Sequence, residues 1–220
     1  MLVSVNAATL IDCSPPEYEH TIQAAAAIMS AQSGYQRHLF LGSTTTPGFY
    51  ATVLEWSDAE QYDHLDELPE LMELFERFDS LTTPESADRA PARIRLEHHK
   101  ADVVDSKHTS ELGTSAGTTV CLNRIRLLDT SPADYEAAYR EGAGLMSEQP
   151  GHLRHKLVRS WNDPTVYYSI AEWAAIGDFR ALSRLDELAA IFAVVNKTIA
   201  VDHHICEVIH AGSSTTGSRA

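Results

Sequence analysis

An α+β fold built twice is predicted for this 220-residue chain, and three observations predict it. The sequence repeats: sliding it by 117 positions (120 − 3) lays residues 3–75 over 120–192 without a gap, with roughly a third of the pairs identical. Each half reads strand, helix, strand, strand, helix, strand. A polar stretch, Lys100–Thr118, rich in Ser, Thr, Gly and Asp, lies between the halves and reads as a linker. The offset is too long for a solenoid, whose units run about 20–50 residues, so the unit of repetition is a small domain. The expected boundaries are residues 1–99 and 119–210, with a linker at 100–118 and a disordered tail at 211–220.

The elements follow in order. Val3–Ile11 is short and β-prone, and Asp12-Cys13-Ser14-Pro15 turns the chain. Ser14-Pro15-Pro16-Glu17 starts a helix, with Ser at the N-cap, Pro at the first helical position and Glu completing a capping box. Ser131-Pro132-Ala133-Asp134 repeats the signal. Both helices should run to Gln32 and Gln149 and stop before Gly34 and Gly151. Strands are expected near Gln36–Leu41 and Leu153–Val158, then at Phe49–Trp56 and Val166–Trp173 after a polar turn. Ser57-x-x-Glu60 reads as another capping box, which the second half lacks because Ala174 stands there. Leu65, Leu68, Leu71, Met72 and Phe75 keep a helical period, matched by Leu182, Leu185, Leu188 and Phe192. Closing strands are expected at Ala92–His98 and His203–Ile209.

The order βαββαβ is the ferredoxin-like split unit, whose helices cover one face of an antiparallel sheet and leave the other bare. A bare apolar sheet needs a partner. Two copies in one chain are therefore expected to pack sheet to sheet, as a pseudo-dimeric α/β barrel fused in one chain.

Composition excludes several classes. A net charge of −14 argues against nucleic acid or an anionic membrane as partner, since both demand a basic patch. No apolar run approaches the roughly 18 residues of a membrane span, and Met1–Val5 reads as a strand rather than a signal peptide. Cys13, Cys121 and Cys206 are odd in number and widely spaced, which suits reduced thiols in a cytoplasmic protein. His98-His99 and His203-His204 are adjacent pairs, but neighbours on a strand point opposite ways, and no HxH, HExxH or CxxC spacing occurs. No metal site is expected.

The first-strand Asn (Asn6, Asn123), the turn into Gly-x-x-Arg-His, and a third strand closing on Glu-Trp resemble the antibiotic biosynthesis monooxygenase family, of dimeric α/β-barrel fold. The resemblance implies a small aromatic substrate and O₂ as partners, with no cofactor. Members of this kind oxidise anthrone-type polyketides to quinones, because a deprotonated phenolic substrate can itself reduce O₂. The same superfamily holds heme-degrading enzymes, polyketide cyclases, decarboxylases and proteins of unknown role. Heme-degrading members place a ligating His on the second helix, where this chain has Phe75 and Phe192. A cyclase or other tailoring enzyme, and a non-catalytic module for an apolar ligand, stay open as alternatives. Duplication raises the prospect of unequal pockets, and a further homodimer is compatible with the sequence.

Candidate residues come from both sources. Alternation along the third strand puts Tyr50, Thr52, Leu54 and Trp56 on one face, and Tyr167, Ser169, Ala171 and Trp173 on the same face of the second half. By resemblance, Trp56 and Trp173 match the anthrone monooxygenase Trp, and Tyr62 matches a Tyr of its catalytic region, with Phe179 in the second half. Thr52 and Ser169 stand where that subgroup has Asn. Each Trp either borders a cavity or plugs the core. Asn6 and Asn123 put an amide on an apolar face, where it must bind a substrate or cap a loop. His38 and His155 are the proton-transfer candidates. Arg37 and Arg154 are candidate binding groups but point the opposite way, so only one of each Arg-His pair can face a cavity.

Overall fold

The computed structural model describes residues 1–82, 93–110 and 114–214, without the side chains of residues 75 and 77–82. It divides into two compact units. Unit 1 is Met1–Lys100 with the chain end from Ile209, and unit 2 is Ala101–Val208.

Unit 1 runs β1 (Leu2–Leu10), α1 (Pro15–Ser30), β2 (Tyr35–Ser43), β3 (Phe49–Trp56), α2 (Ala59–Asp63), a 3-10 turn (His64–Glu67) and α3 (Pro69–Thr82). β4 (Ile94–His108) begins in this unit. β3 pairs antiparallel with both β1 and β2. Ser14 caps α1 as its sequence requires, accepting from the Glu17 N–H at 3.4 Å. The second cap sits one residue later than Ser57: Asp58 accepts from the Gln61 N–H at 2.9 Å, and Ser57 donates to Asp58. The second helix is broken at Leu68-Pro69, where proline disfavours helical backbone in the residue before it, and at the equivalent Leu185-Asp186, which has no proline. Phe75 lies in α3, with its side chain outside the described residues.

Unit 2 repeats the order with β5 (Thr119–Leu127), α4 (Pro132–Ser147), β6 (His152–Ser160), β7 (Val166–Trp173), α5 (Ile176–Ala181), a 3-10 turn (Leu182–Arg184), α6 (Asp186–Val195) and β8 (Ile199–Ser213). β7 pairs with β5 and β6, and β8 adds to β5. Ser131 caps α4 through the Asp134 N–H at 3.1 Å, whereas Ala175 at the start of α5 supplies no side-chain cap. Gly151 ends the α4 turn at φ +77°, and an added Cβ would lie 2.2 Å from Asp178 Oδ2, so only glycine fits.

The linker expectation needs correcting. Its first part, Lys100–His108, is strand, and Ala101–His108 pairs with Ser160–Arg154 of β6. A ladder bonds backbone to backbone and does not read side-chain polarity, so Asp102, Ser106 and Lys107 do not prevent it. The unit boundary therefore falls at Lys100/Ala101 rather than across residues 100–118. Likewise β8 runs through Ser213, so the start of the expected tail is ordered, and residues 215–220 lie outside the described part. Residues 92 and 111–113, in the expected closing strand and linker, also lie outside it.

Candidate active site

Unit 2 holds a cavity of about 340 Å³ between its sheet and its helices, a size that suits a small ligand. Asn123 and Ile125 of β5, Ser169 and Ala171 of β7, and Val201 and His203 of β8 form the sheet side. Tyr135, Tyr139 and Met146 of α4 and Leu182, Leu188 and Phe192 of the following helical segments face them. The walls are largely apolar, and Asn123 and His203 form a bonded polar pair among them.

His203 Nδ1 lies 2.5 Å from Asn123 Oδ1, and Asn123 Nδ2 points at Cys121 Sγ at 3.8 Å. With the amide so oriented, its oxygen accepts from Nδ1–H and the lone pair of His203 sits on Nε2. Phe179 stacks on the imidazole, with centroids 6.0 Å apart at 24°. His203 is exposed as a whole, but partial desolvation of its ring holds the pKa below its ordinary 6.5, so the ring is neutral at pH 7. Burial also pushes the Cys121 thiol up to about 12, which keeps it protonated and weakly nucleophilic. Beside Asn123 in the sheet, Ser169 Oγ lies 3.3 Å from Tyr139 Oη of α4.

The sequence-derived candidates divide clearly. Asn123 and Ser169 line the cavity. Trp173 is fully buried behind it, edge-on to His152 at 5.1 Å and 6.1 Å from Phe179. Tyr167 is committed elsewhere: its hydroxyl donates to Glu136 at 2.9 Å. His155 is on the cavity's face of the sheet, opposite Ala171, but sits behind Tyr139. Both its ring nitrogens are engaged, with His152 at 3.2 Å and Asp105 at 3.1 Å. Arg154 points to the other face and pairs with the buried Glu172 at 3.6 Å.

Unit 1 builds a related but different cluster. Asn6 donates to Thr52 at 3.1 Å, where Asn123 meets His203 in unit 2. Tyr62 Oη lies 3.2 Å from Ser4 Oγ and 3.1 Å from His98 Nε2, and His98 Nε2 is 3.1 Å from Ser4. His98 and His203 thus hold like places, each stacked on the ring at the Tyr62/Phe179 position. In unit 1, however, the histidine's outer nitrogen is bonded to two hydroxyls. Leu54 stands where unit 2 has Ala171, and it packs in a core cluster with Trp56. Trp56 is fully buried between Tyr35 and Tyr62, each edge-on at 5.9 Å. Both Trp56 and Trp173 bury an indole N–H that meets no acceptor among the described residues. Tyr50 donates to Glu19 at 3.0 Å and packs against Tyr18 and Phe40. His38 is bonded to Tyr35 at 2.6 Å and His210 at 2.7 Å, and burial drops its pKa to about 4. Arg37 pairs with buried Glu55 at 3.3 Å on the opposite face.

Sequence reasoning missed Tyr139 and gave His203 no role beyond a rejected metal pair. Tyr139 has Ile22 as its counterpart (139 − 117), and His203 lies beyond the aligned segment, so the repeat drew attention to neither.

Residues 119–194 match the family described as antibiotic biosynthesis monooxygenase. Over 111 residues, 48% of this chain and 92% of the relative, the chain is 28% identical to deoxynogalonate monooxygenase of Streptomyces nogalater. An anthrone oxidase-like protein of known structure superimposes with a TM-score of 0.69 at 15% identity, covering 100% of this chain and 96% of its own. A Fusobacterium nucleatum protein described as a candidate monooxygenase reaches 0.75 at 10% identity, covering 96% and 94%. At such identities these two structures share the fold alone. The chain is thus an α+β protein built of two repeats, and its second repeat, residues 119–194, is similar in sequence to the antibiotic biosynthesis monooxygenase family.

Proposed function

We propose that unit 2 is a cofactor-independent monooxygenase site that oxidises a planar phenolic aromatic of the anthrone type to a quinone. One observation supports the reading: a neutral histidine, oriented by Asn123 at 2.5 Å, lines a largely apolar cavity. His203 Nε2 takes a proton from the substrate's activated carbon, and Asn123 steadies the imidazolium that forms. The resulting carbanion, delocalised into the ring system, passes one electron to O₂. The organic radical and superoxide join through a C–O bond, and the peroxide takes up a proton. Loss of water then leaves a carbonyl at that carbon, so one O₂ and one CH₂ yield one C=O and one H₂O. Leu182, Leu188 and Phe192 keep water from the anion, which raises its reducing power. Ser169, beside Asn123 in the sheet, and Tyr139 of α4 offer hydroxyls to a substrate oxygen.

The test is oxygen uptake with 1,8-dihydroxyanthrone and protein stripped of metal and flavin. Uptake should match quinone formation mole for mole. His203→Gln should lower kcat by about 10²–10⁴-fold, the scale of a lost general base. kcat/KM should also fall on acidification, with a midpoint below pH 6.5, because only the neutral ring accepts a proton and partial desolvation lowers its pKa. Full activity in His203→Gln, or a dependence on added flavin, would overturn the proposal.

A further inference from the structure

The duplicated halves reverse their charge at the helical segment flanking the cavity. Arg180 and Arg184 of unit 2 correspond to Asp63 and Glu67 of unit 1 (180 − 117 and 184 − 117), and Ser183 corresponds to Asp66. Both arginines border a surface depression lined by Gly177 and by residues 179–184. Phe179, Leu182 and Ser183 line this depression and the cavity alike, so the two are contiguous. In a chain of net charge −14, cations are usually consumed by neighbouring carboxylates. Here neither guanidinium meets an ion-pair or hydrogen-bond partner among the described residues, and both are exposed. Asp178, Asp186 and Glu187 lie nearby in sequence but line neither the depression nor the cavity. By contrast, Asp63 in unit 1 is bonded to Lys100.

We infer that Arg180 and Arg184 form an anion subsite, so that the substrate is an aromatic bearing a carboxylate or similar oxyanion on the end that projects from the cavity. The inference rests on the proposed reading of unit 2 as the aromatic-binding site. The aromatic body fills the apolar cavity with its reactive carbon at His203, and the anion takes the planar N–H donors of the arginines. The net negative field of the chain repels an anion at long range, so a local pair of unneutralised cations is what admits one. Unit 1, with Asp63, Asp66 and Glu67 at the same segment, would repel such a ligand. The charge reversal therefore assigns acidic aromatics to one half of the molecule.

Binding and turnover test this separately. Anthraquinone-2-carboxylate, anthraquinone-2-sulfonate and the neutral 2-carboxamide cannot be oxidised further, and their Kd values are measured by fluorescence titration. The anions should bind about fivefold or more tighter than the amide, the scale of two exposed ion pairs, and rising salt should erase the difference. Arg180→Ala/Arg184→Ala should remove it, Arg180→Lys/Arg184→Lys should retain part of it, and Arg126→Ala/Arg140→Ala, with the same net charge as the Ala pair, should leave it intact. Equal affinity for anion and amide, or equal loss of both in the Ala pair with circular dichroism unchanged, overturns the subsite. A preference for the carboxylate over the sulfonate, or the reverse, names the oxyanion. Oxygen uptake is read apart from this: discrimination in binding with no uptake from any anthrone keeps the subsite and overturns the monooxygenase, while uptake without discrimination does the opposite.

Discussion

Replacing Ala171 by Leu transplants unit 1's Leu54 into the unit 2 cavity. The two residues are equivalent in the repeat, and each faces the helices of its unit. Leu adds three carbons to a wall of an existing cavity of about 340 Å³, so space need not be created. At about 0.8 kcal/mol per buried CH₂ the gross gain is ~2.4 kcal/mol. Side-chain ordering returns about 0.5–1 kcal/mol of it, leaving a net gain of ~1.5 kcal/mol. A protein of this size gains about 2–4 °C in Tm per kcal/mol, so unit 2 should melt about 3–6 °C higher. The same substitution occupies the substrate's volume, and kcat/KM for the anthrone should fall at least tenfold. Leu54→Ala is the mirror experiment: it empties a packed core, should cost about 2–5 kcal/mol, and should leave unit 2's turnover intact. Differential scanning calorimetry with oxygen electrode assays reads both quantities. If Ala171→Leu destabilises the protein while activity survives, the cavity neither has the space described nor holds the substrate.

Two further outcomes follow from single side chains. His38 is buried and its pKa is held at about 4 against an ordinary 6.5. Between those values the unfolded chain takes up a proton that the folded chain refuses, so stability is full above pH 6.5 and drops as pH falls toward 4, by at most about 3 kcal/mol. Urea unfolding at pH 7.5 and pH 4.5 should show this loss in the wild type, and a His38→Gln variant should show a smaller pH dependence from a lower starting stability; equal slopes would refute it. Gly151→Ala forces a Cβ to φ +77° and to within 2.2 Å of Asp178, so it should cost about 2 kcal/mol or more, and adding Asp178→Ala should restore part of the loss in thermal melts.

The polar linker expectation and the site's membership show where reading along the chain stops. Helix caps at Ser14 and Ser131, the glycine stops at Gly34 and Gly151, and the period-2 strands ending on Trp56 and Trp173 are local. They depend on residues within a turn or two, so their spacing in the sequence is enough to specify them. The repeat also revealed the two-unit architecture, since each half buries its own core. Strand pairing of Ala101–His108 is not local, because the backbone that receives it lies some fifty residues away in β6 and the side chains carry no mark of it. The same holds for the site. Asn123 is visible from the repeat, but its partner His203 arrives on β8, 80 residues later (203 − 123), through sheet register alone. His38 and His155 are the duplicated histidines, and tertiary packing turns them into buried, fully bonded groups. Identical positions in the two halves mostly hold the fold. The Ala171/Leu54, Phe179/Tyr62 and Arg180/Asp63 differences are where the two halves depart from each other around the cavity, and only the packed units show what each side chain faces.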